Sequence, residues 1–189
     1  LAEVLVESLA RLEQKLQGEN PAAVDLWNTG TAMQPKTENE LSDYVARHFR
    51  ADLIDRGVVV GREVEIRRTI VPGSGERTDI HVDVKDASSD PVITVIVEAK
   101  GCWNRGVLTD LADQLAHRYL RENHSRTGLY LVGSYQCVAW DDTDQRKAAC
   151  VDAERLTDAL SANAAALRAE GLDIRPVVLD CRLRCAADD

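Results

Sequence analysis

The 189-residue chain contains no apolar run near the roughly 20 residues that span a bilayer. It also lacks a basic segment followed by an apolar one, the mark of a secretory leader. Basic residues are the minority, 23 against 32 acidic ones, for a net charge of −9. That balance excludes affinity for nucleic acid from overall charge, so any such affinity must come from local patches, a partner domain or a bound metal. No glycine-rich loop opens a helix: "GSGE", from Gly73 to Glu76, precedes a strand pattern, which counts against nucleoside-triphosphate chemistry. Cysteines number five, at 102, 137, 150, 181 and 185, an odd count with scattered spacing that argues against a disulfide framework. Cys181 and Cys185 could form half a zinc site, but no second pair or suitably spaced histidine lies nearby. The thiols are expected to be reduced and structural, and the compartment cytoplasmic.

The chain is 44% hydrophobic and 29% charged, ordinary for a globular domain of this length. Residues 1–17 place Leu1, Val4, Leu5, Leu9, Leu12 and Leu16 on one helical stripe. Residues 18–36, broken by Gly, Pro and Asn, read as a linker with one short helical turn. Residues 1–36 are thus expected to be a helix and linker joining an upstream domain, with 37–189 forming the main domain. The first residue is Leu1 rather than Met, which fits a piece of a longer protein.

Thr37 is the expected N-cap of a helix whose stripe is Leu41, Val45, Phe49 and Leu53, with Gly57 ending it. Three strand patterns follow. "GREVEIRRTIV" alternates as a long exposed strand, and "RTDIHVDV" puts Ile80, Val82 and Val84 opposite Asp79, His81 and Asp83. "PVITVIVEAK" is continuously apolar, as in a strand covered on both faces. A helix over about 107–122, a buried strand in "TGLYLVGSY", an Ala-rich helix over 152–170 and a last strand with an edge-marking Pro176 complete the order. The class is α/β, a central mixed sheet flanked by helices in αβββαβ order.

If the second and third strands form a hairpin turning between Ser88 and Ser89, opposed residues have numbers summing to 177, which sets Asp79 against Glu98. Opposed residues share a face, and Lys100, two residues on from Glu98, joins it. Two carboxylates this close repel unless a proton or a cation separates them. Mg²⁺ suits such a pair, because it takes hard oxygen ligands from one or two carboxylates and completes its shell with waters or substrate phosphate. A lysine beside them can orient a water or stabilise charge developing on a phosphate. The bland alternative is a salt-bridged strand end.

"ENEL" opening a helix, "ERTD" opening a strand, "VEAK" closing the next, and a glutamine on the following helix together resemble the PD-(D/E)XK nuclease superfamily, over residues 37 to about 134. Holliday-junction resolvases belong to that superfamily. The resemblance implies a restriction-endonuclease-like core. It also implies a metal-dependent nuclease acting on DNA, with RNA not separated by the sequence, and with Mg²⁺ (Mn²⁺ substituting) as cofactor. It assigns Asp79 and Glu98 as metal ligands, Lys100 as the catalytic lysine and Glu38 as an assisting ligand. Thr78 stands where the superfamily's name has proline. Glu38, on the stripe of Leu41 and Val45, points to the sheet, whereas Glu40 reads as a surface charge. Gln114 matches the glutamine of a Gln-x-x-x-Tyr pattern, although Tyr119 comes one residue late and Arg118 holds the expected place. Arg67, Arg68, Arg77 and Arg105 are candidate phosphate contacts or solvated charges, His81 is an extra base or a satisfied sheet histidine, and Trp103 is a packing residue or a stacking platform. An endonuclease effector module of a larger bacterial defence protein, its substrate engaged through another domain or an oligomer, is the expected setting. The alternative is a catalytically idle module of the same fold.

Overall fold

A computed structural model of the chain describes residues 1–67, 76–84 and 93–184. The expected turn at Ser88–Ser89, Arg68 and Cys185 lie outside the described residues, as do the side chains of Arg67 and Arg77. The protein is a mixed α/β structure with a five-stranded sheet flanked by helices. In chain order the elements are α1 (Ala2–Gln17), a short 3-10 turn (Ala22–Leu26), β1 (Trp27–Thr29), β2 (Met33–Pro35) and α2 (Glu38–Asp52). There follow β3 (Val58–Arg67), β4 (Glu76–Val84), β5 (Ile93–Gly101) and a π-helix (Leu111–Leu120). The chain continues through β6 (Thr127–Ser134), α3 (Gln145–Ala149), α4 (Ala153–Arg168) and β7 (Asp173–Asp180).

The large sheet runs β3-β4-β5-β6-β7. Its first three strands form an antiparallel meander, and β5, β6 and β7 are parallel. β5 lies in the middle and is buried from Val95 onward, as its unbroken apolar run requires. Pro176 sits in β7, at the edge, where a missing N–H costs the ladder nothing on the open side. β4 and β5 pair as Ile80↔Val97, His81↔Ile96, Val82↔Val95, Asp83↔Thr94 and Val84↔Ile93, every pair summing to the expected 177.

Two glycines show which layer covers which face. A Cβ on Gly133 would meet Leu41 of α2 at 3.0 Å, so α2 lies on the face of Ala99 and Leu131. A Cβ on Gly128 would meet the Leu115 side chain at 3.2 Å, so the π-helix lies on the opposite face, that of Ile96, Glu98 and Lys100. α2 begins as its sequence prescribes. Thr37 Oγ1 accepts from Glu40 N while Glu40 returns a bond to Thr37 N, a reciprocal capping box. This is the use of Glu40, and it leaves Glu38 free to face inward. Past α2, Gly57 takes the left-handed conformation at φ 63° that turns the chain into β3.

Residues 18–36 differ from the expected linker. Leu26 and Trp27 are buried, β1 and β2 pair, and α1 buries Leu5, Leu9, Leu12 and Leu16 in the same apolar cluster as α2 and the sheet. Each such leucine contributes on the order of 1.5–3 kcal/mol by leaving water. A polar clasp fixes α1 on α2: Arg11 and Ser8 both donate to Asp52 Oδ2, at 2.7 and 2.6 Å, and His48 Nε2 lies 2.8 Å from Ser8 O. The Arg11 guanidinium holds the Asp52 carboxyl well below its usual range. Ser, His and Asp meet here without forming a nucleophilic triad, because the aspartate bonds the serine and Ser8 is fully buried.

The cysteine expectation is corrected as well. Cys102 and Cys150 are disulfide-bonded across 48 residues with Cα atoms 4.8 Å apart, whereas Cys137 and Cys181 are free. The bridge ties the end of β5 to the segment before α4, next to a backbone bond from Val151 N to Cys102 O. Closing a loop of that length is worth up to about 4 kcal/mol on chain-entropy grounds. Urea denaturation with and without a thiol reductant is expected to show a lower midpoint in the reduced protein, and the double substitution C102S/C150S a midpoint that no longer responds to reductant. Identical midpoints for the oxidised and reduced wild type would show that the bridge adds no stability.

Candidate functional site

At the C-terminal end of β5 the sheet brings Asp79, Glu98 and Lys100 together on the face under the π-helix. Glu98 is 2% and Lys100 8% exposed. Lys100 Nζ donates to Glu98 Oε1 at 2.7 Å and to Gln114 Oε1 at 2.9 Å, and lies 3.6 Å from Asp110 Oδ2. Asp79 Oδ2 accepts from Ala99 N at 2.9 Å, so the β4 carboxylate is held directly against the β5 backbone. Arg62 of β3 donates to the Asp79 carbonyl and pairs with Asp43, bracing the strand start from the far side.

Glu38 reaches the same strand end from the first turn of α2. Its Oε1 accepts from Gly101 N and from Asn104 Nδ2, both at 2.9 Å, and Oε2 accepts from Asn104 at 3.1 Å. Both of its oxygens are therefore engaged by the loop after β5.

Gln114 and Tyr119 meet through the π-helix. Gln114 Nε2 lies 2.5 Å from the Tyr119 hydroxyl, to which it donates. In an α-helix the partner one turn on is at i+4, occupied here by Arg118; the wider π turn brings i+5 above i. The one-residue delay of Tyr119 in the sequence is thus absorbed by the backbone, and Lys100, Gln114 and Tyr119 form one hydrogen-bonded line.

The electrostatics follow from burial. Glu98 is pushed up to about 8 by loss of water and then by the Asp79 charge, with Lys100 opposing both. Burial likewise raises Asp79, against the Ala99 N–H and Lys100. For Lys100 burial acts downward, yet the surrounding Glu98, Asp79 and Glu38 charges outweigh it and the ammonium is favoured. Lys100 is shared among several acids, and among the described residues Glu98 Oε2 is buried with no hydrogen-bond partner. A buried carboxylate oxygen left this way costs free energy unless it carries a proton or binds a cation.

That orphaned oxygen and the nearby Asp79 carboxylate, whose charge acts on Glu98, fit a Mg²⁺ ion held by two carboxylates and completed by waters or phosphate. Among the described residues no group of three His, Cys, Asp or Glu stands close enough to hold an ion by protein ligands alone. In this arrangement Glu38 is engaged by the loop, and Asp79 and Glu98 are the two carboxylates that would hold such an ion.

The other candidates sit apart from the cluster. His81 Nε2 lies 3.8 Å from Asp83 Oδ1, and Asp83 accepts from Thr94 Oγ1, deeper along the hairpin. Trp103 packs against Tyr135 and Trp140, and Arg146 covers it at 4.9 Å, so it is a packing residue. Arg105 is exposed beside Asn104. Sequence reasoning missed Asn104 and Asp110. Asn104 follows the strand end by three residues, and Asp110 precedes Gln114 by one helical turn; both spacings are visible only once the strand end and the helix start are fixed. Asp110 also needs Gly106 beneath it, where a Cβ would lie 2.4 Å from its carboxylate oxygens.

No protein-family model, curated protein or solved structure matches this chain. Among the described residues no helix is long and apolar enough to cross a membrane.

Proposed function

We propose that the protein is a metal-dependent nuclease of the restriction-endonuclease-like kind, hydrolysing phosphodiester bonds of DNA with Mg²⁺ or Mn²⁺. The observation that carries this reading is the buried, unpartnered Glu98 Oε2 beside Asp79 and Lys100 on one sheet end. Asp79 and Glu98 would hold the ion, which when bound supplies a positive charge against the phosphate and acidifies a coordinated water. Lys100, fixed by Glu98 and Gln114, positions the attacking water and meets charge developing on the phosphate. Glu38 and Asn104 hold the loop that follows β5, and Gln114 with Tyr119 keeps the lysine aimed.

An endonuclease module within a larger bacterial defence protein is the setting we propose. Its acidic surface leaves substrate engagement to a further domain or an oligomer. The test is cleavage of supercoiled plasmid in Mg²⁺ or Mn²⁺ with an EDTA control, alongside Mn²⁺ binding. Metal-dependent nicking or linearisation is the expected outcome. A folded wild type that binds no Mn²⁺ would overturn the reading. One observation favours a second reading, an idle module of the same fold: Lys100 is already ion-paired with Glu98 and near Asp110, as a purely structural strand end would be.

A further inference from the structure

A cavity of about 480 Å³ opens between the C-terminal end of the π-helix and the turn leading from α4 into β7. It lies on the flank of residues 116, 117, 120 and 121, whereas Gln114 faces Lys100 from another side of the helix. In a chain of net charge −9, this one cavity is lined by Arg121, Arg126, His117 and His124. A single acid, Glu170, opposes them, 3.5 Å from His117 Nε2. Arg121, Arg126 and His124 have no ion pair among the described residues. The apolar part of the wall is the half-buried Leu172, with Ala116 and Leu120 buried behind it.

The backbone beneath the cavity adds a second observation. His124 has φ 52°, the sole non-glycine residue with positive φ among those described. It ends the helix in a Schellman pattern, with Ser125 N bonding Leu120 O at 3.0 Å and His124 N bonding Arg121 O at 3.3 Å. Glycine is the residue such a position favours. A histidine held there keeps an imidazole on the cavity wall against a backbone preference, the kind of outlier that argues for use.

We propose that this cavity binds a small organic phosphate. The two guanidinium forks grip phosphoryl oxygens, the imidazoles add donors, and Leu172 meets the apolar body of the ligand. Its volume lies within the roughly 300–1,000 Å³ of small-molecule sites, which favours a discrete ligand over a polymer backbone carrying the same phosphate chemistry. This proposal stands independently of the nuclease reading.

The test is calorimetric titration of the full chain in EDTA, so that no divalent ion recruits phosphate to the carboxylate site. The probes are ADP, pyrophosphate, adenosine and a short single-stranded DNA. ADP and pyrophosphate are expected to bind and adenosine not to. Arg121→Ala and Arg126→Ala are each expected to weaken ADP by about tenfold or more, as loss of a charged hydrogen bond does. His124→Gly should weaken ADP while leaving the free protein at least as heat-stable, because the backbone strain is relieved. Three results would each overturn the proposal: no ADP or pyrophosphate binding at millimolar concentration, ADP affinity indifferent to both arginine substitutions, or arginine-dependent binding of the DNA without binding of ADP.

Discussion

Lys100→Ala is expected to lower metal-dependent plasmid cleavage by about 10²–10⁴-fold while leaving the fold in place. The side chain is a cation set among Glu98, Asp110 and the neighbouring Asp79 and Glu38 charges, and it is held at 2.7 Å by Glu98 and 2.9 Å by Gln114. In the proposed mechanism, truncation removes both the positive charge that would face the phosphate and the group that would order water there. Breaking a buried pair by removing one partner ordinarily costs about 3–5 kcal/mol. Here the loss is smaller, because burial and the Asp79 charge favour proton uptake by Glu98 once the ammonium is gone. Circular dichroism should therefore show native structure for the variant, with a modestly lower Tm. Lys100→Arg is not expected to restore the rate, since a planar fork cannot replace a compact ammonium in a pocket shaped by Glu98, Gln114 and Asp110. Cleavage by Lys100→Ala within threefold of wild type would remove the lysine from the chemistry and return it to the role of a strand-end ion pair.

Much of this site was legible because it rests on local rules. Strand periodicity of two placed Glu98 and Lys100 on one face, and a hairpin register of 177 then set Asp79 beside them. The helical stripe of Leu41 and Val45 separated Glu38 from Glu40, and the capping box that Glu40 makes with Thr37 shows what holds it at the surface. What stayed hidden was non-local or off-period. The buried positions Leu111, Leu115, Ala116, Tyr119 and Leu120 fit an apolar stripe of either an α-helix or a π-helix, so the pattern could not reveal that Gln114 and Tyr119 stack. The Cys102–Cys150 bridge joins residues 48 apart that only the packing of the α3–α4 region against the β5 end brings together. The β1–β2 hairpin has strands of three residues, too short for alternation to register.

The acid–base behaviour of Glu98 leads to the second large effect. Its carboxyl rises from an ordinary 4.5 to about 8 in the folded protein, through burial first and the Asp79 charge second. Between those values the native state keeps a proton that the unfolded chain has lost. The unfolded state then binds fewer protons, so stability falls as pH rises, by at most about 1.4 kcal/mol per pH unit for one group, and levels off above pH 8. Asp52 acts in the opposite sense: its depressed carboxyl contributes stability that is present at neutral pH and lost on acidification. A divalent ion reverses the position of Glu98, because it requires the deprotonated form and gives the orphaned Oε2 a partner. Binding of Mn²⁺ below pH 8 should therefore release close to one proton, and apparent affinity should climb by about tenfold per pH unit from 6 towards 8 before flattening. Calorimetric titrations in two buffers of different ionisation enthalpy, across pH 6 to 9, read proton release and affinity together. Glu98→Gln, which has no proton to lose and one ligand oxygen fewer, should bind Mn²⁺ far more weakly at every pH and lose the decline in metal-free stability. An affinity that stays level from pH 6 to 8 in the wild type would mean that Glu98 is not the group the ion displaces a proton from, and would take the metal away from this pair of carboxylates.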